Sequence, residues 1–417
     1  VDGGGGWLNA QTFWSGGIVS DNVVRGACGG LSVRVAGSQL DGLQVLDNSI
    51  MDTASGGAGG GLCLYADVDV TALVATGNVA KAGGGGLYIS GASPTLTDVV
   101  ISGNESLPWS RGGGVRVSGS AAQPVFDDFA VDDNVSLGGG GIYLHNGADL
   151  TATNGSISGN VAPYAGGLYA IHAAAVSLTN VVVIGNVASG SNGGGVSIES
   201  NSGYLDLRNV VVAGNQALSG GGGILCNSSG SILNSVVVGN TTTSATSGGG
   251  GLILNVPAAG AFSIQNSIIS GNAAQGVSGF GGGMTVALLD VTSVLDVTWV
   301  DSWGNSPDDY DGIPLPSASA GNVSVDPGFL DVSGADPEDW DLHLGLSSPL
   351  IDAGAGAILD PDGLPSDLGA YGGPGAAGWD LDRDGWFEWW SPGPWGSTSS
   401  TMDCDDGDPA VYPGSGC

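Results

Sequence analysis

Between runs of glycine, apolar residues fall at every second position. Leu87 and Ile89, Val115 and Val117, Ile142 and Leu144, and Val196 and Ile198 each bracket a residue of different character. A period of two is that of a strand with one face toward a core. No stretch sustains the 3.6-residue period of a helical repeat. After the first strand of each phrase a second short strand is expected, as in "PTLTDV" (94–99). A third follows, as in "VVISGN" (99–104).

The phrases recur in step. Their closing asparagines are Asn22, Asn48, Asn78, Asn104, Asn134, Asn160, Asn186, Asn215, Asn240, Asn272 and Asn305, spaced 25 to 33 residues apart. The first apolar residue after each glycine run forms a parallel series from Leu31 to Met284. Two series that keep step over so much chain mark a repeat architecture. Three short strands per repeat predict one coil of a right-handed parallel β-helix, with about eleven or more coils stacked about 4.8 Å apart. Gly-Asn then marks the sharp bends, since both residues tolerate left-handed backbone angles. Stacked asparagines can also bond to one another along the axis, as in cross-β ladders. These residues are architectural and are assigned to no site.

The repeat resembles the Gly-Gly-apolar…Asn repeat of polymorphic outer-membrane-type β-helix proteins and the wider pectate-lyase-like superfamily. That resemblance covers residues 1–305 and speaks to fold, because the superfamily includes lyases, hydrolases, adhesins and passive stalks. Beyond it, "VDPGFL" (325–330), "DLHLGLSSPLIDAG" (341–354) and "DPDGLPSDLGAYGGP" (360–374) resemble the closing segment of secreted bacterial β-helix proteins. Residues 306–378 are therefore expected to form terminal coils and a cap over open strand edges. An N-terminal cap is expected near residues 1–16, with Trp7, Phe13 and Trp14 covering the first coil. Residues 379–417 form a third, acidic unit.

Charge narrows the partners. Seven Lys and Arg stand against 40 Asp and Glu, a net charge of −33, and nearly all the acids are Asp. Such a chain repels nucleic acid and anionic membranes. Divalent cations and basic surfaces suit it, and a high-salt habitat is an alternative account of the same charge. No run approaches the roughly 18 apolar residues of a membrane span. No basic start followed by an apolar run reads as a signal peptide, and the start at Val1 fits a processed form or a fragment. The expected location is extracellular or the cell surface. Five cysteines leave at least one unpaired within the chain. Cys404 and Cys417 are the disulfide candidates.

The acidic unit carries the clearest chemistry. Asp380, Asp382 and Asp384, followed by Gly385, spell the D-x-D-x-D-G opening of a calcium loop. Carboxylates at positions 1, 3 and 5 converge on one ion, and the Trp386 carbonyl falls at position 7. Ser391 at position 12 departs from an EF-hand, so further ligands come from elsewhere. Asp403, Asp405 and Asp408 in "DCDDGDP" supply them, with Asp406 beside them. Residues 380–414 resemble the metal-binding module of secreted bacterial proteins. The carboxylate set without nearby His implies Ca2+ rather than zinc or copper. A second acidic group, Asp308, Asp309 and Asp311, is either a cation site or a solvated loop.

Other candidates are sparser. Tyr88, Arg116, Tyr143 and Tyr169 share the outward position after the first strand residue in neighbouring coils. They form either a glycan-stacking stripe or a surface ladder of cation–π contacts. Lys81 and Arg111 fall near Arg116 by register. Asp127, Asp128, Asp132 and Asp133 are the paired acids a hydrolase would need. His145 and His172 occupy similar places in successive coils. No nucleophile elbow, phosphate loop or dinucleotide fingerprint appears in its required context, and no catalytic residue is assigned. The expected function is an extracellular structural or adhesive β-helix, a stalk, adhesin or filament subunit, stabilised or joined by calcium and able to self-associate end to end. The alternative is a carbohydrate-active enzyme or glycan binder using the lateral face, with surface or matrix glycans as partners.

Overall fold

The computed structural model describes residues 6–376, apart from 27, 51–58, 108–109, 173–174, 244–247, 276–280, 315 and 362. The expected solenoid is present. Its strands pair in parallel into sheets running along one axis. Sheet A collects the short strands after the glycine runs, from Gly6–Leu8 to Tyr310–Asp311. Registers match the repeat: Leu87 pairs with Val115, and Val115 with Ile142. Inward residues of successive coils form one continuous core from Leu31 to Val300.

The ladder asparagines from Asn48 to Asn272 are buried, and Asn22 and Asn305 at its ends are half-buried. In each coil the backbone N–H and side-chain amide both donate to Oδ1 of the asparagine in the next coil. Asn78 does so to Asn104 at 2.9 and 3.0 Å. Its amide also donates to the Val45 carbonyl at 2.7 Å. A short polar side chain thus satisfies backbone groups that the sharp bend leaves unpaired. The row runs from Asn22 through ten turns to Asn305, whose amide donates to Asp309 Oδ1 at 2.8 Å. The left-handed residue of the bend is the one before the asparagine, such as Gly103 (φ 62°), a place that Asp133 also fills (φ 55°). The glycine runs answer a different need. A Cβ on Gly85 would collide with the carbonyl of Gly113 in the next coil.

The second and third expected strands are joined. Thr95–Ser102 is one eight-residue strand of sheet B, bent at Asp98 (φ 54°). Pairing continues on both sides of the bend, with Thr97 opposite Asp127 and Val99 opposite Phe129. One left-handed residue turns the chain without breaking the ladder. The same place is held by Asp128, Asn154, Asn180, Asn209, Asn234 and Asn266, and less favourably by Ala72 and Trp299. The true third strands are the two-residue pieces after the ladder asparagine, such as Val79–Ala80.

The N-terminal end departs from the cap expected, whereas at the C-terminal end Asn322 and Val323 pair with Val300 and Asp301 on the open edge of the last sheet B strand. Gly6–Leu8 and Phe13–Ser20 pair with the following coil in sheets A and B, so they are the first coil itself. Strand alternation turns Trp14 toward the core and leaves Phe13 71% exposed. At the far end, Ser306 and Tyr310–Asp311 complete the last partial coil. The chain then doubles back, and much of 337–376 lies along the flank of sheet B. Leu342, Leu344, Leu350 and Leu368 pack on Ile184, Val211, Val236 and Ile268. Asn209 donates to the carbonyls of Ala370 and Gly372, both at 2.7 Å, and Asn234 to Ser366 Oγ at 2.7 Å. The outward positions of sheet B explain this placement. They are polar at Ser156 and Ser158, then become Val182 and Ile184, then Val211 and Ala213. An apolar stripe on the outside needs a cover, and this flanking strap supplies it.

Candidate lateral face and acidic clusters

The outward stripe of sheet A is in the expected register. Tyr88 is opposite Arg116, Arg116 opposite Tyr143, and Tyr143 opposite Tyr169. The Arg116 guanidinium lies 6.0 Å from the Tyr88 ring centre and 5.6 Å from that of Tyr143. Arg111, from the turn before the same strand, lies 5.4 Å from Tyr143 and 5.7 Å from Tyr169. Its Nη1 donates to Tyr143 Oη at 3.2 Å. These are the contacts of a cation–π ladder. Tyr143 and Tyr169 are only 2% and 6% exposed. An external ligand therefore meets the arginines and Tyr88 rather than the faces of those two rings.

The row extends further than sequence reasoning found. Arg34 sits between Trp7 and Tyr65, at 5.0 and 4.4 Å, and Tyr65 meets Tyr88 edge-on at 6.0 Å. Trp7 shares the common register position, but Arg34 and Tyr65 lie two residues beyond it, after Ser32 and Cys63, which hid the alignment. At the other end Tyr169 Oη donates to Glu199 at 3.3 Å. Burial, followed by the Glu199 charge, raises the Tyr169 hydroxyl well above its ordinary range. His145 and His172 lie beside the row with ring centres 5.2 Å apart. Burial lowers the His145 pKa first, and Arg116, His172 and Arg111 lower it further.

The paired acids of sheet B have structural roles. Asp128 and Asp133 are left-handed corner residues. Asp127 accepts from Thr153 and Asn154, both at 2.8 Å. Asp132 accepts from Ser158 at 2.9 Å, and burial raises its pKa.

The calcium-loop residues Asp380, Asp382, Asp384, Trp386, Asp403, Asp405 and Asp408, and the pair Cys404 and Cys417, lie outside the described residues. Of the second acidic group, Asp309 ends the asparagine ladder and Asp311 pairs with Thr285 in the last coil. Among the described residues a different trio gathers: Asp352, Asp360 and Asp367, with carboxylate oxygens all within 4.8 Å of one another. Asp367 Oδ1 accepts the Asp352 N–H at 2.7 Å, and Asp360 accepts those of Asp367 and Gly373. Three carboxylates at this spacing could hold a hard cation. Their spacing along the chain follows no metal motif, so the fold alone brings them together. Cys28 and Cys63 form a disulfide between consecutive coils, and Cys226 is a buried thiol pushed up to about 11 by burial.

Residues 31–242, about half of the chain, match the family model described as the right handed beta helix region. No curated protein and no solved structure matches the chain.

Proposed function

The chain belongs to the right-handed β-helix family, and on that premise we propose that it is an extracellular structural or adhesive rod: a surface stalk, adhesin or filament subunit. The observation that carries this reading is the uninterrupted asparagine ladder over ten turns, with one core beneath it. At about 4.8 Å per turn the ladder spans about 48 Å. The Cys28–Cys63 disulfide supports an oxidising compartment. Calcium at the acidic C-terminal unit would stabilise the rod or join it to another copy, and Asp352, Asp360 and Asp367 offer a second place for a hard cation. Electron microscopy of the purified protein, with calcium and then with chelator, tests this. End-to-end filaments that disperse on chelation are expected of a calcium-joined subunit, and single rods in both conditions exclude it.

A carbohydrate-active or glycan-binding role on the lateral face is the second reading. It is favoured by two arginines, Arg111 and Arg116, that have no acidic partner among the described residues. Cleavage of acidic polysaccharides, lost in Arg116→Ala, would replace the structural reading with this one.

A further inference from the structure

The outward face of sheet A carries a patch of uncompensated positive charge. Arg111 and Arg116 are half-buried, and their guanidinium groups lie 5.4 and 5.6 Å from the centre of the same Tyr143 ring. Among the described residues the ion pairs are Arg208–Asp206 and His343–Asp341, so neither arginine has a carboxylate there. Arg111 Nε, Arg116 Nε and His145 Nδ1 are shielded from water, with no hydrogen-bond partner among the described residues. Two cations held together partly out of water repel each other and lose hydration. Carboxylates beside them offset both costs. Stacking on a ring leaves the in-plane fork of N–H groups free to receive them.

The sequence supplies such carboxylates in one concentrated place. Five of the seven basic residues, Arg25, Arg34, Lys81, Arg111 and Arg116, fall in the first 116 positions. Residues 379–417 hold eight acids against one cation, Arg383. Four of those acids, Asp403, Asp405, Asp406 and Asp408, stand within six positions. In a chain of net charge −33 most other surface repels such a segment.

The course of the chain agrees. The strap meets Asn266 at Ala355, Asn234 at Ser366, and Asn209 at Ala370 and Gly372, so it runs toward lower-numbered coils. Asn209, Asn180, Asn154 and Asp128 are the corners of successive coils. Arg116 belongs to the coil of Asp128, three coils on, or about 14 Å along the axis. From Ala376, the last described residue, to Asp403 the chain has about 27 residues, which extend to about 90 Å. That covers the axial distance and the path around a coil from sheet B to sheet A. We infer that residues 403–408 dock on the Arg111–Arg116 patch of the same molecule, with their carboxylates paired to the two guanidinium groups. Calcium on these carboxylates would compete with the contact, so the experiment is done in chelator.

NMR spectra of the full chain are compared with those of a variant carrying Asp403→Asn, Asp405→Asn, Asp406→Asn and Asp408→Asn, which leaves every coil unaltered. Amide signals of Arg111–Ser118 and Tyr143–His145 are expected to differ between the two, while those of Leu252–Val256 coincide. Paired carboxylates offset the arginine field, so the His145 imidazole is expected to titrate at higher pH in the parent than in the variant. On an Arg116→Gln background the same four substitutions are expected to move these signals by less than about half as much. The first comparison stands alone if Arg116→Gln fails to fold. A contact within one molecule has an effective concentration of about a millimolar, so the difference is expected to persist on dilution to about 20 μM. A difference that fades on dilution assigns the segment to a second copy and overturns the contact within one molecule. Coincident spectra with an unmoved His145 titration overturn the docking altogether.

Discussion

Asn104 Nδ2 lies 3.0 Å from Asn134 Oδ1, and the Asn104 backbone N–H donates to the same oxygen at 2.9 Å. Asn134 in turn donates to the Ile101 carbonyl at 2.9 Å. Asn134→Ala removes the acceptor of two buried donors and one donor of a carbonyl. Each buried group left unpaired costs about 1–3 kcal/mol. A loss of about 3 kcal/mol or more is expected in urea unfolding. A change within experimental error would mean that the ladder is incidental to stability.

Ala72 occupies a bend position at φ 52°, where most coils place Asn, Asp or Gly. The left-handed region costs a residue with a Cβ about 1–2 kcal/mol. Glycine removes that strain and adds some unfolded-state entropy. Ala72→Gly is expected to stabilise by about 0.5–1 kcal/mol, read from the same unfolding curves.

Asp301 is fully buried on the outward side of sheet B, opposite Ile268. Its Oδ1 accepts the Val325 N–H at 2.9 Å, and its Oδ2 has no partner among the described residues. Burial pushes its pKa up to about 7, helped by the charges of Asp309 and Asp326. Tyr310 also faces this group. In the unfolded chain the carboxyl titrates near 3.9, about three units lower. Between those values the folded state holds a proton that the unfolded state has lost, so this group makes stability fall as pH rises from about 4 to 7 and stay low above it. Asp301→Asn is expected to gain on the order of 1 kcal/mol over the parent at pH 8 and nothing at pH 4. Thermal melts at both values check this, and an equal shift at each would reject the titration.

Leu350 is fully buried between the strap and sheet B. Leu350→Ala is expected to cost the strap about 2–5 kcal/mol of docking. Hydrogen exchange should then quicken at Leu342–Leu344 and Leu368–Ala370 while amides near Leu87–Ile101 keep their rates. Uniform quickening would show that the two parts melt as one.

The coils were legible because each repeats a local demand. A left-handed residue, an asparagine and a tight glycine approach recur within thirty-odd residues, and the alternation at Leu87 and Ile89 names the inward face. The bend at Asp98 was missed because Asp there reads as an ordinary strand-end residue until the equivalent residues of the other coils, from Ala72 to Trp299, line up with it. The strap was missed because its contacts, such as Asn209 with Ala370, join residues 161 apart. One local sign existed. The triplets Val181–Val183, Val210–Val212 and Val236–Val238 have no polar alternate, which marks strands covered on both faces. The lateral face was half legible: Tyr88, Arg116, Tyr143 and Tyr169 share one position, but burial of the last two depends on Ala165 and Ile171 packed around them.

The strap has a mechanical consequence. In a plain solenoid each coil touches only its neighbours, so unfolding can begin at any weak coil and spread one interface at a time. A segment fastened at Ile184, Asn209, Asn234 and Asn266 ties four consecutive coils into a single unit. Pulled along its axis, this molecule would yield coil by coil through its first half. The second half would resist until the strap let go, then give way in one event, so a single chain would show a graded response followed by a sharp one.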